Sequence, residues 1–277
     1  MKKERLDKFL VDQGFFDSRE RAKKAIMAGL VLVKEQTKTK AGEQIALETP
    51  LDQIIVKGNA IPFVSRGGLK LDKGLKVFDF PVKGLTFMDI GASTGGFTDC
   101  LLQNGAAKVM AIDVGYGQFD WKLRNDDRVV CRERTNFRLL KKDEHEKSVD
   151  GTVMDVSFIS ITKLLEPMRL FLKEGGLGIW LIKPQFEAGR EKVGKRGVIK
   201  DPKVHKEVLE NVLFAIQQAH FKICGLDYSP IKGPKGNVEF LCFVEKLPTD
   251  QMDQSDWSEE IKVLVAKVHQ VKKEKEI

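Results

Sequence analysis

Four charged side chains lie beside apolar runs of the sequence, at positions where a buried group can carry out chemistry. Lys183 follows the run 179–182, Asp155 ends the segment VMD, and Glu239 opens EFLCFVEK. Lys70 lies upstream of them, in SRGGLKL. A lysine amine with a lowered pKa can take a proton from a hydroxyl group, and a second lysine nearby lowers that pKa, whereas carboxylates raise it and orient the ammonium groups. The residue types therefore fit either a catalytic set or two salt bridges around a loop.

A glycine-rich segment, DIGASTGGF, follows the first predicted strand and is a candidate ligand loop. Its spacing is G-x-x-x-G-G rather than the G-x-G-x-x-G of dinucleotide sites, which disfavours a nicotinamide cofactor and favours an adenosyl ligand without a pyrophosphate. Asp113 ends the second strand, where a carboxylate can accept hydrogen bonds from ribose hydroxyls, and Asn136 follows the third strand, near the adenine region or in a turn. An ordinary strand-to-helix turn would also explain the loop. The candidate contacts from this reasoning are Gly91, Ala92, Ser93, Gly95, Gly96, Phe97, Asp113 and Asn136.

The elements that must position these residues alternate between strand and helix patterns from residue 86 onward. Such alternation predicts an α/β fold with a mostly parallel, Rossmann-like sheet, and the closing pair without an intervening helix predicts an antiparallel last strand. We expect the fourth and fifth strands to lie beside the first, so that their carboxyl ends face the glycine loop. The predicted strands are 86–92, 109–113, 129–135, 150–156, 177–183, 222–230 and 239–246, and the predicted helices are 95–106, 161–176 with an interruption at Pro167, 202–220 and a tail helix from Ser255.

The first sixty residues predict a separate, small α+β module. Two short helices are expected, the second capped by Ser18 and ended by Gly29, followed by a hairpin of strands 30–33 and 53–56. The segment 57–68 is expected to be a linker, so the predicted domains are 1–60 and 61–277. Clustered basic residues suit a phosphate backbone, although a solvated helix face is the alternative. The candidate RNA-binding residues are Arg5, Arg19, Arg21, Lys23, Lys24, Lys34 and Arg66, together with Arg190, Lys195 and Arg196 of a later basic loop.

Two resemblances give these patterns a function. The segment RLDKFLVDQGFFDSRERAKKAIMAGLVLV resembles the S-four-type RNA-binding module, which implies binding of structured RNA. Lysine, aspartate, lysine and glutamate in this chain order resemble the K-D-K-E set of FtsJ-like ribose 2′-O-methyltransferases. The segments SRGGLKL, DIGASTGGFTD, DVSFIS, LIKPQFE and GNVEF are similar to those of the TlyA family, also labelled hemolysin A, over nearly the full length.

The resemblance to the TlyA family implies S-adenosylmethionine-dependent methylation of a ribose 2′-hydroxyl in ribosomal RNA, in a cytidine, with ribosomal RNA or ribosomal subunits as partner. It implies that Lys70, Asp155, Lys183 and Glu239 are the catalytic residues, with Lys183 as the base and Lys70 as the nearby cation. It also implies that Asp89 lies near the amino-acid part of the cofactor, and that Asp155 is among the cofactor contacts. Val156 and Ser157 stand where amine-directed methyltransferases typically carry two prolines, which disfavours an exocyclic amine acceptor.

Composition excludes some functions and leaves others open. The net charge of +7 permits a polyanionic partner. No apolar stretch approaches the roughly 18 residues of a membrane span, and the basic N-terminus lacks the apolar run of a signal peptide, so we expect a cytoplasmic protein without a membrane partner. The four histidines look scattered and the four cysteines have no metal-ligand spacing, so no metal is expected and the cysteines are interpreted as reduced core residues. The alternatives are a cell-lysing, membrane-active protein and an RNA-binding protein with an inert methyltransferase domain.

Overall fold

The computed structural model describes residues 3–13, 15–16, 18–50, 53–56, 62–141, 148–194, 197–233 and 236–273. The chain forms two compact units, Met1–Pro62 and Phe63–Ile277. The predicted boundary between residues 60 and 61 lies outside the described residues.

The N-terminal unit is a small α+β module. Its elements are β1 (Lys3–Arg5), α1 (Leu6–Asp12), α2 (Arg19–Met27), β2 (Val31–Val33), β3 (Gln36–Lys38), β4 (Gln44–Ala46) and β5 (Ile54–Val56). The side chain of Ser18 accepts a hydrogen bond from the backbone N–H of Arg21, and Gly29 adopts a positive φ of 70° after α2, which confirms both predicted helix ends. Strand β2 pairs with β5 as predicted, and also with β3. Strands β1, β3 and β4 were not predicted, because their residues KER, QTK and QIA lack the apolar run that marks β2 and β5.

The second unit is built on a sheet that confirms the predicted α/β class. Its described strands are β6 (Thr86–Ile90), β7 (Lys108–Ile112), β8 (Val129–Arg132), β9 (Val149–Met154), β10 (Leu172–Ile182), β11 (Phe221–Tyr228) and β12 (Phe240–Lys246). They lie in the order β11-β12-β10-β9-β6-β7-β8. Strands β6 to β10 run parallel, and β12 is antiparallel to both of its neighbours, β10 and β11. Of the two strands expected beside β6, only β9 is adjacent; β10 lies one strand further away, which corrects that expectation.

The helices of this unit include three that sequence reasoning missed. They are α3 (Gly67–Val77), α4 (Gly96–Gln103), α5 (Trp121–Arg124), α6 (Leu165–Phe171), α7 (Pro184–Glu187), α8 (Pro202–Gln218) and α9 (Ser258–Lys273). The missed helices are α3 and the four-residue α5 and α7. Helix α3 begins inside the predicted linker and carries Lys70. Glycines disfavour a helix in isolation, but here they let the helix backbone pack closely against neighbouring side chains, which stabilises the helix. A side chain at Gly68 would lie 2.3 Å from the ring of Phe63, and one at Gly74 would lie 3.2 Å from Ile179 on β10.

The segment 161–176 is the second correction. A single interrupted helix was predicted, but a 3-10 turn (Ile161–Leu164) leads into α6, and the chain enters β10 already at Leu172. Pro167 lies in the first turn of α6, where its missing N–H would have no intrahelical partner, so it does not interrupt the helix. Beneath the helices, the sheet buries large side chains completely, among them Trp180, Phe221 and Phe240. Within the described ranges, no helix is both long and apolar enough to cross a membrane.

Candidate active site

The four charged residues singled out in the sequence meet in one buried cluster of the second unit. Lys70 Nζ on α3 lies 2.7 Å from Glu239 Oε2 and 3.0 Å from Asp155 Oδ2. Lys183 Nζ, at the end of β10, lies 2.5 Å from the other oxygen of the same carboxylate, Asp155 Oδ1. The order in space is therefore Glu239, Lys70, Asp155, Lys183, with charges alternating in sign. Lys70 and Lys183 are each 6% exposed and Glu239 is 1% exposed, so these three side chains are shielded from water, whereas the side chain of Asp155 is 16% exposed.

Because positive and negative side chains alternate in the cluster, each charged group is stabilised by its neighbours, and this shifts the pKa values of Lys70 and Asp155. Burial lowers the pKa of Lys70, but the charges and hydrogen bonds of Asp155 and Glu239 outweigh it, and the net pKa is raised. Burial likewise raises the pKa of Asp155, but the ammonium groups of Lys70 and Lys183 outweigh it and hold the pKa below its usual value. Lys70 is therefore a fixed positive charge. The two lysines are separated by the Asp155 carboxylate, so they do not face each other as the sequence argument assumed.

A cavity of about 390 Å³ adjoins this cluster. It lies at the carboxyl ends of β6, β7 and β9, where the direction of the crossovers reverses and ligands of open α/β sheets bind. Asp155 is shared by the charged cluster and the cavity wall. Much of the wall is apolar, which suits a planar ring. The lining residues are Ile90, Gly91, Ser93, Ile112, Asp113, Val114, Gly115, Gln118, Thr135, Asn136, Phe137, Asp155, Val156, Ser157, Phe158, Ile159 and Leu164.

The glycine-rich segment divides between the cavity and the protein interior. Gly91 lines the cavity with φ +81°, and a side chain on it would lie 3.0 Å from Val156 and 3.1 Å from the carbonyl of Asp155. Gly95 adopts φ +94° and faces Leu123, and a side chain at Gly96 would lie 2.9 Å from the backbone nitrogen of Gly68. The second and third glycines thus allow packing against α5 and α3. Of the residues predicted from this segment, Gly91 and Ser93 line the cavity, whereas Asp89, Ala92, Gly95, Gly96 and Phe97 do not.

The two acidic residues predicted for the cofactor occupy different environments. Asp113 lines the cavity, and its carboxylate accepts hydrogen bonds from the backbone N–H groups of Ser93 (2.8 Å) and Gly115 (2.6 Å). Gln118 Nε2 donates a third, longer hydrogen bond (3.3 Å) to Asp113 Oδ1. A carboxylate has about four lone-pair sites, so Asp113 retains capacity for about one more donor from a ligand. Asp89 is fully buried, and its Oδ2 accepts a hydrogen bond of 2.7 Å from Thr98 Oγ1. Burial raises the pKa of Asp89 to about 7.

Asn136 starts a turn and also lies at the cavity, and its contact with the adenine region stays a prediction. It lines the cavity, and its side-chain oxygen accepts a hydrogen bond from the backbone N–H of Arg138, which starts the 3-10 turn Phe137–Leu139.

Two further residues of the site were missed in the sequence. Ser157, two positions after Asp155, receives a hydrogen bond of 3.0 Å from Lys183 Nζ and lines the cavity. Glu187 on α7 accepts hydrogen bonds from Ser160 Oγ (2.5 Å) and from the backbone N–H of Ile161 (3.0 Å). Glu187 therefore ties the segment after β9, which forms one cavity wall, to the segment after β10, which carries Lys183. Its position four residues after Lys183 in LIKPQFE was the available signal.

The predicted RNA-binding residues belong to different parts of the chain. In the N-terminal unit, Arg19, Lys23, Lys24 and Lys34 are exposed, and the side chains of Arg5 and Arg19 both contact Asp7. Arg21 is half-buried on α2, and in the second unit Arg66 is half-buried at the start of α3. Arg190 begins a 3-10 turn, and Lys195 and Arg196 lie outside the described residues. RNA binding by these residues stays a prediction.

The histidines are less scattered than the sequence suggested. His205 Nδ1 on α8 lies 2.9 Å from His269 Nε2 on α9, although the two residues are 64 positions apart. No group of three or more histidine, cysteine or acidic side chains suited to a metal ion occurs in the part of the chain that the structure describes. Cys100 and Cys242 are buried free thiols, and Cys131 and Cys224 are partly buried free thiols.

Comparison with known proteins identifies both units. Residues 63–246 match the FtsJ-like methyltransferase family and residues 4–48 match the S4 domain. YqxC of Bacillus subtilis (strain 168), provisionally named an rRNA methyltransferase, is 49% identical over 276 residues, which cover 99% of this chain and 97% of YqxC. The Mycobacterium tuberculosis (strain ATCC 25618 / H37Rv) protein named 16S/23S rRNA (cytidine-2'-O)-methyltransferase TlyA is 40% identical over 240 residues, 87% of this chain and 89% of its own. A solved structure of a provisionally named hemolysin from Streptococcus thermophilus has a TM-score of 0.80, 44% identity and 100% coverage of both chains.

Proposed function

The chain belongs to the TlyA family of FtsJ-like methyltransferases, and we propose that it methylates the 2′-hydroxyl of a ribose in ribosomal RNA, with S-adenosylmethionine as methyl donor. One observation carries the proposal: Lys70, Asp155, Lys183 and Glu239 form a single buried cluster beside the cavity at the carboxyl end of β6. The relative from M. tuberculosis is named for cytidine, which supports cytidine as the modified nucleotide. The S4 match supports a role of the N-terminal unit in RNA binding, and a ribosomal RNA substrate supports a cytoplasmic location.

The cavity residues fit an adenosyl cofactor. Gly91 lines the cavity, so its backbone can lie against a ligand, and Asp113 retains acceptor capacity for a ribose hydroxyl. Ile112, Phe137 and Leu164 provide an apolar wall for an adenine ring. When bound, S-adenosylmethionine supplies an electrophilic methyl group on a sulfonium centre. Asp89 does not line the cavity, so we propose that it supports the loop from below through Thr98 rather than touching the cofactor.

The charged cluster suits activation of a ribose hydroxyl, which is a poor nucleophile at neutral pH because it holds its proton tightly. Lys183 Nζ reaches the cavity through Ser157 and Asp155, both of which line it. We propose that Lys183, an ammonium group at rest, first releases its own proton to solvent and then, as the neutral amine, takes the hydroxyl proton. Lys70 stays positively charged between Asp155 and Glu239 and stabilises the negative charge that develops on the oxygen. Asp155 orients both ammonium groups, and Glu239 holds Lys70 in place.

Transfer of a tritiated methyl group tests the proposal. The purified chain is incubated with tritiated S-adenosylmethionine and ribosomal RNA, ribosomal subunits or whole ribosomes from a strain that lacks the gene. The modified ribose is then mapped. We expect incorporation at a cytidine 2′-oxygen. Incorporation on a base, or none with any of the three substrates, would contradict the proposal.

Separate assays distinguish the other functions. An RNA-binding protein with an inert methyltransferase unit would bind RNA and transfer no methyl group, even if S-adenosylmethionine stabilises it in a thermal melt. Leakage of dye from lipid vesicles at low protein concentration would favour a membrane-active protein. For the proposed enzyme we expect thermal stabilisation, methyl transfer and no leakage.

A further inference from the structure

In the N-terminal unit, a buried carboxylate lies beneath two arginine side chains. Asp7 on α1 is 0% exposed, while the side chains of Arg5 and Arg19 are 45% and 49% exposed. The two guanidinium groups therefore cover the carboxylate on one side and face solvent on the other.

The contacts hold both guanidinium groups in defined positions. Arg5 donates from Nε to Asp7 Oδ1 (3.0 Å) and from Nη2 to Asp7 Oδ2 (2.9 Å), a two-pronged arrangement, and Arg19 Nη2 donates to Asp7 Oδ2 (3.1 Å). The hydrogen bonds from Arg5 are the main reason that the pKa of Asp7 falls to about 2. The carboxylate is therefore charged at neutral pH and keeps both arginines in place.

Stability alone explains this arrangement poorly. Desolvating a carboxylate costs several kcal/mol, and its ion pairs commonly return no more than that. A guanidinium group has five N–H donors, so both arginines keep donors beyond the contacts with Asp7. Lys23 follows Arg19 by four residues on α2, so the two lie on the same helix face, and Lys23 is exposed. The fixed pair thus belongs to a cationic surface.

We propose that Asp7 is a positioning residue for RNA, which holds the guanidinium groups of Arg5 and Arg19 as a preformed pair for the phosphate backbone. The inference rests on the proposed RNA-binding function and adds to it the residue that organises the contact. Guanidinium groups suit phosphate because they donate parallel hydrogen bonds, and a side chain that is already fixed loses less conformational freedom on binding.

Two substitutions on α1 separate positioning from charge. Asp7→Asn and Asp12→Asn each remove one negative charge from the same helix, but Asp12 is exposed and pairs with Lys8 instead (2.9 Å). Charge alone predicts that both variants bind RNA more tightly, because the surface becomes more positive. Positioning predicts that Asp7→Asn binds deproteinised ribosomal RNA about tenfold more weakly at 0.15 M salt, with a salt slope smaller by about one or two. Asp12→Asn should bind equally well or more tightly.

The measurement is RNA affinity at several salt concentrations, taken below the melting temperature of each variant. If the unaltered chain binds RNA and Asp7→Asn binds it equally well or more tightly, the inference is overturned and the proposed function stands. Absence of RNA binding by the unaltered chain would overturn both. If Asp7→Asn does not fold, Gly42→Val replaces it, because a side chain at Gly42 would begin 3.2 Å from Arg5 Nη1 and displace that guanidinium group. Weaker RNA binding by Gly42→Val supports the inference, and unchanged affinity overturns it.

Discussion

Replacing each lysine of the charged cluster by methionine should produce two different losses of stability. Lys70 bridges Asp155 and Glu239, whereas Lys183 pairs with Asp155 alone. Lys70→Met leaves Glu239, which is 1% exposed, without its ammonium partner. Removing one partner of a buried ion pair costs about 3–5 kcal/mol. Lys183→Met leaves Asp155 paired with Lys70, so its cost should be nearer the roughly 1.5–3 kcal/mol of a lost hydrogen bond to a charged group.

The expected difference is about 2 kcal/mol in the free energy of unfolding, with Lys70→Met the less stable variant. A second substitution tests the cause: in Lys70→Met/Glu239→Gln the stranded carboxylate becomes neutral, so the double variant should be more stable than Lys70→Met alone. Urea unfolding followed by tryptophan fluorescence suits the measurement, since Trp121, Trp180 and Trp257 are the three tryptophans of the chain and all lie in the second unit.

Activity should respond differently from stability. Both single variants should lose methyl transfer by about a hundredfold or more, the usual contribution of a proton-transfer group or charge stabiliser. Neither lysine lines the cavity, so the affinity for S-adenosylmethionine, measured by calorimetry, should stay within about threefold of the unaltered chain. The reasoning is refuted if Lys183→Met is destabilised as much as Lys70→Met, or if Glu239→Gln fails to restore stability. Normal turnover in either variant would remove that lysine from the mechanism.

Three further predictions concern the cavity and its supports. Burial raises the pKa of Asp89 to about 7, so between about pH 4 and pH 7 the native chain holds a proton that the unfolded chain has lost, and this contribution to stability falls as the pH rises. Asp89→Asn should therefore gain stability relative to the unaltered chain as the pH rises from about 4 to about 8 in urea unfolding, with most of the gain between about pH 5 and pH 7; a stability difference that does not change with pH would count against the protonated native state. Glu187→Ala should weaken cofactor binding severalfold in calorimetry, because it releases the backbone of Ile161 between the wall residues Ile159 and Leu164. Glu187→Gln keeps an acceptor for that N–H group and should lose less; equal losses would argue against the hydrogen bond. Gly91→Ala should abolish cofactor binding, because the new methyl group would press against Val156 and the carbonyl of Asp155 in the cavity wall. Gly84→Ala is the control: Gly84 has a similar φ of +77° but open space around it, so this variant should bind the cofactor normally. Normal binding by both variants would show that the loop tolerates a side chain.

Sequence reasoning identified three of the four members of the charged cluster from their local surroundings, and the fourth from the chain order of the set. Asp155, Lys183 and Glu239 each interrupt or border an apolar run, and a run of that kind predicts a buried strand without knowledge of its neighbours. Lys70 has no such local mark, since the glycines around it argue against the helix that it occupies. That helix forms because Gly68 and Gly74 allow contact with Phe63 and Ile179, and the second of these contacts spans more than a hundred positions of the chain.

By itself, therefore, the sequence determined the α/β class, the two-part organisation and the types of the reactive residues, because hydrophobic period and strand ends are properties of neighbouring positions. Only the tertiary structure decided which glycine faces the cavity and which faces a helix, since Gly91, Gly95 and Gly96 look alike in the sequence and differ in what packs against them. It also decided that one carboxylate separates the two lysines, and that Asp7 is covered by two arginines. Charges interact through distance and burial, and both are set by residues far apart along the chain.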